Sequence, residues 1–296
     1  MVEEAVENGP EWAGPPATIA ELEDRLAQVG LSRHAEALAR LARTSIRLVP
    51  DKAVDVEALG TTRLGGDPDL PPEVPWPHLG DRPLSFIAQI NLAALPRTPA
   101  SADLPDRGLL SFYYDAVRMP WGYDPTHRGS WAVRYCPDDG SWQRRPAPAD
   151  LPEDVRFKPL GLAGEPELCF APSESHDVMQ VDAELPWSPY HSVLGWREET
   201  LHRLLGHPDL IQEDMQRECQ LVSNGIYCGN PKYRSDPRVE PLLAGAGDWR
   251  LLLQVDSTDR ETGMMWGDLG RLYYWIRDED LRDRAWDRTW LVLQCG

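Results

Sequence analysis

Lysine is nearly missing from this chain. Lys52, Lys158 and Lys232 are its three lysines, and every other basic side chain is arginine. No run of basic residues is longer than Arg144-Arg145, and acidic residues outnumber basic ones by 48 to 30, for a net charge of −18. A field of that sign repels phosphate backbones and anionic lipid, which argues against nucleic acid and membrane as partners. No apolar run approaches the ~20 residues that span a bilayer. The opening Met1-Val2-Glu3-Glu4 lacks the basic start and apolar stretch of a secretory signal, so a cytoplasmic location is expected.

Chemistry-bearing motifs are scarce as well. The five cysteines, Cys136, Cys169, Cys219, Cys228 and Cys295, are odd in number and contain no C-x-x-C, which reads as reduced, buried thiols. His191, His202, His207, Cys219 and Cys228 lie close in sequence, but their spacings fit no zinc signature. No G-x-S-x-G, H-E-x-x-H, Walker or EF-hand pattern occurs. Gly245-Ala246-Gly247 lacks the third glycine of a dinucleotide fingerprint. No catalytic motif, metal or cofactor is therefore expected.

What is present is a chain of 296 residues, 42% apolar, long enough to bury a sizeable core. Residues 1–17 read as a disordered tail. Thr18-Ile19-Ala20-Glu21 matches a capping box, and Ile19, Leu22, Leu26 and Val29 follow at helical spacing. With a second helix opened by Ser32, residues 18–45 form a helical hairpin. Strands are expected at Ser85–Asn91, Leu109–Tyr114, Trp131–Cys136, Trp249–Asp256, Arg271–Ile276 and Thr289–Gln294. Residues 144–168, rich in proline, read as an extended connection. Glu198–Leu205 reads as a short helix stopped by Gly206, and Pro208 as the start of another carrying Met215, Cys219 and Val222.

Self-comparison gives the firmest signal. Arg63-Leu64-Gly65-Gly66-Asp67-Pro68-Asp69-Leu70 matches Arg203-Leu204-Leu205-Gly206-His207-Pro208-Asp209-Leu210 without a gap. Phe86–Asn91 then resembles Leu251–Asp256, and Gly108–Tyr113 resembles Gly270–Trp275, in the same order. The expectation is an α+β protein of two pseudo-symmetric halves with antiparallel sheets, residues 46–160 and 161–296, forming one two-lobed unit after the hairpin.

The same residues carry a family resemblance. Arg63–Leu70, Pro71-Pro72, Trp76-Pro77, Pro83–Leu92, Arg203–Leu210, Leu252–Asp256, Met264–Asp268, Gly270–Trp275 and Trp290–Cys295 together resemble the YwqG-like family of uncharacterised bacterial proteins. The resemblance spans roughly residues 46–296. It implies a cytosolic protein of mixed α and β structure and no particular activity.

Arg63 with Asp69, and Arg203 with Asp209, read as structural braces, one in each half. An aspartate dyad at the pseudo-symmetry axis is the alternative, without the D-[TS]-G setting of aspartic proteases. Gln89 and Gln254 interrupt apolar strands and need partners, either loop backbone or a ligand. Trp266 and Asp268 flank a glycine in only one half. If an asymmetric ligand binds, contact is expected at Trp266 and Asp268 with Gln89 or Gln254 at the floor. The leading expectation is a non-catalytic binding or interaction protein, monomeric, whose partner is a small molecule or another protein; an immunity-like or regulatory protein is one form of it. The alternative is a hydrolase using Asp209, Asp256, Asp268 and His207.

Overall fold

The computed structural model describes residues 12–195 and 200–296. Ten strands form one antiparallel sheet: β1 (Arg43–Pro50), β2 (Arg63–Leu64), β3 (Ser85–Asn91), β4 (Leu109–Tyr114), β5 (Trp131–Cys136), β6 (Leu160–Cys169), β7 (His202–Leu204), β8 (Trp249–Asp256), β9 (Arg271–Arg277) and β10 (Trp290–Gln294). Their spatial order is β10-β9-β8-β7-β1-β6-β2-β3-β4-β5. β1 and β6 thus form a central pair, register Arg43↔Cys169 to Pro50↔Leu162, and a wing of four strands extends from each. β1 adjoins β7 of the second wing, and β6 adjoins β2 of the first.

The sheet curls until its ends nearly meet. Trp131 on β5 donates from Nε1 to the Thr289 carbonyl at 3.0 Å and packs edge-on against Trp290 of β10, with 4.9 Å between ring centroids. Across the interior Phe112 meets Tyr274 at 5.1 Å, and the Tyr274 hydroxyl donates to the Tyr113 carbonyl. The inward side chains of all ten strands share one core, with Ile46, Ile90, Phe112, Leu253 and Tyr274 fully buried. Each such side chain contributes roughly 1.5–3 kcal/mol by leaving water.

A smaller cluster joins the N-terminal helices to the sheet. α1 (Ile19–Gln28) and the short α2 (Ala35–Ala39) pack Leu22, Leu26 and Leu38 against Phe170, Val178 and Tyr190. Val178 lies on α3 (His176–Val181) and Tyr190 on α4 (Trp187–Leu194). Thr18 caps α1 by accepting from the Glu21 amide at 3.1 Å, while Glu21 takes the Ala17 amide.

Several sequence expectations need correction. Of the tail read as disordered, residues 1–11 lie outside the described residues. Residues 12–17 are packed: Trp12 lies under the Arg25 guanidinium, and Arg25 Nη1 donates to the Gly14 carbonyl at 2.7 Å. His202–Leu204 is a strand, not the end of a helix, because Arg203 and Leu204 pair with Gln254 and Leu253; Glu198 and Glu199 lie outside the described residues. The helix expected from Pro208 begins instead at Met215, where Asp214 accepts the Arg217 amide; α5 spans Met215–Ser223. The end of the 144–168 connection is the central strand β6. The two expected sheets are joined through β1 and β6 into one.

Both wings carry the same irregularity. A bulge interrupts β3–β4 between Phe86 and Ala88, and another interrupts β8–β9 between Leu251 and Leu253. The carbonyls at the bulges accept from the turn after β2 or β7: Gly65 N–H to Ile87 at 2.9 Å, Leu205 N–H to Leu252 at 3.1 Å. Each turn uses two successive left-handed residues, Gly65-Gly66 and Leu205-Gly206. In the first wing a Cβ on Gly65 would stand 2.3 Å from the Lys158 carbonyl oxygen, so only glycine fits there. Leu205 has that space and carries the strain, roughly 1–2 kcal/mol for an L-residue.

Candidate functional site

The turns after β2 and β7 present the repeated Arg and Asp to the repeated Gln. In the first wing Arg63 Nη1 donates to Asp69 Oδ2 at 3.1 Å, and Nη2 donates to the Asp67 carbonyl. Gln89 Oε1 accepts the Asp69 amide at 2.8 Å, while its Nε2 donates to the Thr61 carbonyl and to Asp69 Oδ2. In the second wing Arg203 Nη1 donates to Asp209 Oδ2 at 2.5 Å and to the His207 carbonyl. Gln254 accepts the Asp209 amide at 2.9 Å and donates to the Leu201 carbonyl and Asp209 Oδ2. Both glutamines and Arg63 are fully buried, and these bonds run to nearby loops.

The two arginines differ in what surrounds them. Arg203 Nε and Nη2 also donate to Glu167 Oε2, at 3.2 and 3.0 Å, so two carboxylates share one guanidinium. Burial would lower its pKa, but Asp209 and Glu167 outweigh this and raise it. Around Arg63 the ratio is inverted. Asp69 also receives Arg144 Nε at 2.6 Å, so two guanidiniums share one carboxylate. Burial lowers the Arg63 pKa against the opposing pull of Asp69. Burial would raise the Asp69 carboxyl, but hydrogen bonds from Arg144 and Gln89 and the charge of Arg63 hold it below its ordinary value.

The structure does not bring Trp266 and Asp268 together with a strand glutamine. Trp266 is 1% exposed, its ring edge-on to Tyr114 at 5.8 Å and Phe157 at 5.5 Å in the core. Asp268 is exposed beside Leu269, and its carbonyl accepts the Gly296 amide. A solvent-borne ligand can meet Asp268 but not the Trp266 ring. Indole is large enough to fill a core position, and burial wins over stacking on solute.

Of the hydrolase alternative, Asp209, Asp256 and His207 are engaged, whereas the Asp268 side chain is exposed. Asp209 serves Arg203 and Gln254. Asp256 accepts the Leu201 amide at 2.9 Å and lies 3.2 Å from Arg271 Nε. His207 Nε2 donates to the Leu41 carbonyl at 2.6 Å, and burial pushes its pKa down to about 3. His202 is likewise pushed down to about 3 by burial and Arg271, its Nδ1 accepting the Asp256 amide. Both imidazoles are neutral at physiological pH. Among the described residues no three His, Cys, Asp or Glu side chains are grouped as for a metal ion.

Loops cover each wing, and the covers differ. In the first wing residues 57–76 and 144–159 lie over β3 and leave a concavity of about 280 Å³ between them. Its floor is Trp76, Phe86 and Phe157, with Leu151 and Val155 beside them, all less than a tenth exposed. Arg144, Arg156, Asp67 and Glu57 stand around it. In the second wing the space beside the matching Gly206-His207 turn is about 10 Å³, closed by His207, Gln216 of α5 and Trp275. That is scarcely room for one water. The first-wing volume is near the lower end of small-molecule sites, roughly 300–1,000 Å³.

The motifs in the sequence include Gly66, Asp67, Trp76 and Phe86 of this lining, but none of its residues between 144 and 159. Arg144 reaches Asp69 through a two-residue ribbon pairing Asp69 with Arg144, a register that no local pattern announces. The one available signal was asymmetry: the proline-rich 144–168 stretch has no counterpart in the second half.

A nearly closed antiparallel sheet and two bulged wings braced by Arg–Asp–Gln clusters define an α+β protein, with an open concavity in its first wing. The chain belongs to the family described as Domain of unknown function (DUF1963), whose model matches residues 62–295. The match begins after β1, so the family segment excludes a strand that sits at the centre of the sheet. No curated protein matches the chain.

Proposed function

We propose that this is a non-catalytic binding protein that holds a small molecule in the first-wing concavity. The supporting observation is the 280 Å³ hollow, floored by three aromatic rings and flanked by two guanidiniums, beside a second wing where the matching space is closed. Aromatic floors with a few fixed polar groups hold ligands by stacking and oriented hydrogen bonds.

On this reading the chain is two pseudo-symmetric halves that diverged, one keeping its hollow and the other filling it. The mirrored strand order, the equivalent bulges and the matching Arg–Asp–Gln bonds support the duplication. The finer kinship to YwqG-like proteins rests on the motifs around Arg63–Leu70 and Arg203–Leu210, and a monomeric protein of the bacterial cytoplasm accords with it.

A thermal-shift screen of metabolites against the wild type and Ala147→Trp tests the proposal. Ala147 lines the concavity, and an indole there would occupy it. Compounds that raise the wild-type Tm should leave the filled variant unmoved. Hits that stabilise both proteins equally, or a screen without hits, would overturn it.

A protein-docking reading draws on a different surface. Val117, Met119, Trp121 and Tyr227 are all exposed, and Tyr123 ties the loop carrying the first three to Tyr227 at 5.7 Å between ring centroids. Equal hits on both proteins would shift weight to this surface.

A further inference from the structure

Resting on that binding site, we infer that the concavity takes a small aromatic carboxylate, a monoanion, with its ring on the Trp76–Phe86–Phe157 floor and its carboxylate at Arg156. The two arginines are not equivalent. Arg144 donates from Nε to Asp69 and from Nη2 to the carbonyls of Val56, Glu57 and Ala58, and its Nη1 faces Glu57 at 3.8 Å. Its charge is consumed by the fold. Arg156 donates from Nε to the Leu151 carbonyl and from Nη2 to those of Pro148, Ala149 and Leu151. These are neutral acceptors. They fix the plane of the guanidinium without cancelling its charge, and they leave Nη1 uncommitted at the edge of the hollow. A planar, pre-oriented guanidinium matches the geometry of a carboxylate.

The charge around the hollow sets the valence of the ligand. Glu57 and Asp67 line the hollow together with the arginines, Glu57 3.8 Å from Arg144 Nη1, and the chain as a whole carries −18. A dianion such as a phosphate monoester meets repulsion from both acids, whereas a monoanion needs only the one free guanidinium edge. A cationic ligand would meet the Arg156 guanidinium and would compete with Arg144 for Glu57, which lies 3.8 Å from Arg144 Nη1 and is 82% exposed. The rings of Trp76, Phe86 and Phe157 in the lining favour a ligand with a flat apolar body over an aliphatic acid.

Isothermal titration with phenylacetate, neutral phenylacetamide and phenyl phosphate tests this, using the wild type, Arg156→Gln and Ala147→Trp, each first shown to unfold cooperatively. Phenylacetate should bind the wild type best, lose about tenfold in affinity in Arg156→Gln, as for one charge-assisted contact, and not bind Ala147→Trp. Phenylacetamide binding as tightly as phenylacetate, or unchanged phenylacetate affinity in Arg156→Gln, overturns the ligand class while leaving the site. Tighter binding of phenyl phosphate also overturns it. Phenylacetate binding to Ala147→Trp as to the wild type overturns the site and the inference together. No binding of any probe at millimolar concentration overturns the inference alone and returns the site to the wider screen.

Discussion

Gln89 and Gln254 make the same hydrogen bonds in different wings of the sheet. Each accepts the amide of an aspartate, Asp69 at 2.8 Å and Asp209 at 2.9 Å, and each donates at 3.0 Å to the carbonyl of a residue just before the repeated arginine. A leucine at either place would fill the volume but leave the aspartate N–H without its partner, and in the second wing the Leu201 carbonyl as well, while the Thr61 carbonyl keeps Arg63 Nη1 at 3.3 Å. Gln89→Leu and Gln254→Leu should each cost about 2–4 kcal/mol, measurable by urea unfolding. A loss below half a kcal/mol at both would show that the loops find their partners elsewhere.

Arg63 and Arg144 should be energetically coupled, because Asp69 is the carboxylate of both. Removing either leaves Asp69 one cation; removing both strands a fully buried charge. Arg63→Ala should cost roughly 2–4 kcal/mol. The double variant Arg63→Ala/Arg144→Ala should lose at least about 0.5 kcal/mol more than the two single losses together. Simple additivity in a double-mutant cycle would mean that Asp69 does not mediate between them.

The two buried histidines set an acid limit. His202 and His207 titrate near pH 3 when folded and near 6.5 when unfolded. Their contribution is therefore complete above about pH 6.5 and shrinks as pH falls towards 3, by about 1.4 kcal/mol per pH unit for each. Urea midpoints between pH 7 and 5 should fall less steeply in His207→Gln than in the wild type. Parallel profiles would contradict neutral burial of that ring.

Glu218 on α5 acts in the opposite sense. Burial first, then the charges of Asp214 and Glu213, push its carboxyl up to about 7. Its folded pKa lies above the ordinary 4.5, so the protein loses stability as pH rises through that interval. Glu218→Gln should raise the Tm above pH 7 and change it little at pH 4.5. Equal shifts at both pH values would point to packing rather than charge.

Strands whose apolar residues face one common core were legible. Ser85–Asn91, Leu109–Tyr114 and Trp131–Cys136 occupy the expected residues because their aromatic and branched side chains declare a half-buried surface. β6 was hidden by Gly161, Gly164 and Pro166, which weaken any strand signal. In the fold a Cβ at Gly164 would press on Ile46 and Leu95 at 3.1 Å, and these side chains would have to give way. β7 was masked by leucines that mimic a helical face; only its pairing with β8 makes it extended. The Arg–Asp–Gln clusters were visible through repetition. The concavity was not, because it is a space between two loops far apart in sequence, and absence of volume has no residue signature.

The placement of β1 between β6 and β7 has a kinetic consequence. Arg43 leaves the ribosome early, but its carbonyl takes the Cys169 thiol from a strand 126 residues downstream. The other neighbour of β1, β7, is later still, with Arg47 paired to Arg203. Hydrophobic contacts at such separation form only after the entropy of closing long loops has been met. The first wing can assemble during synthesis, whereas the central pair must wait for more than half of the chain. Until then β1 presents an unpaired edge, the part of the nascent chain most exposed to capture by other strands.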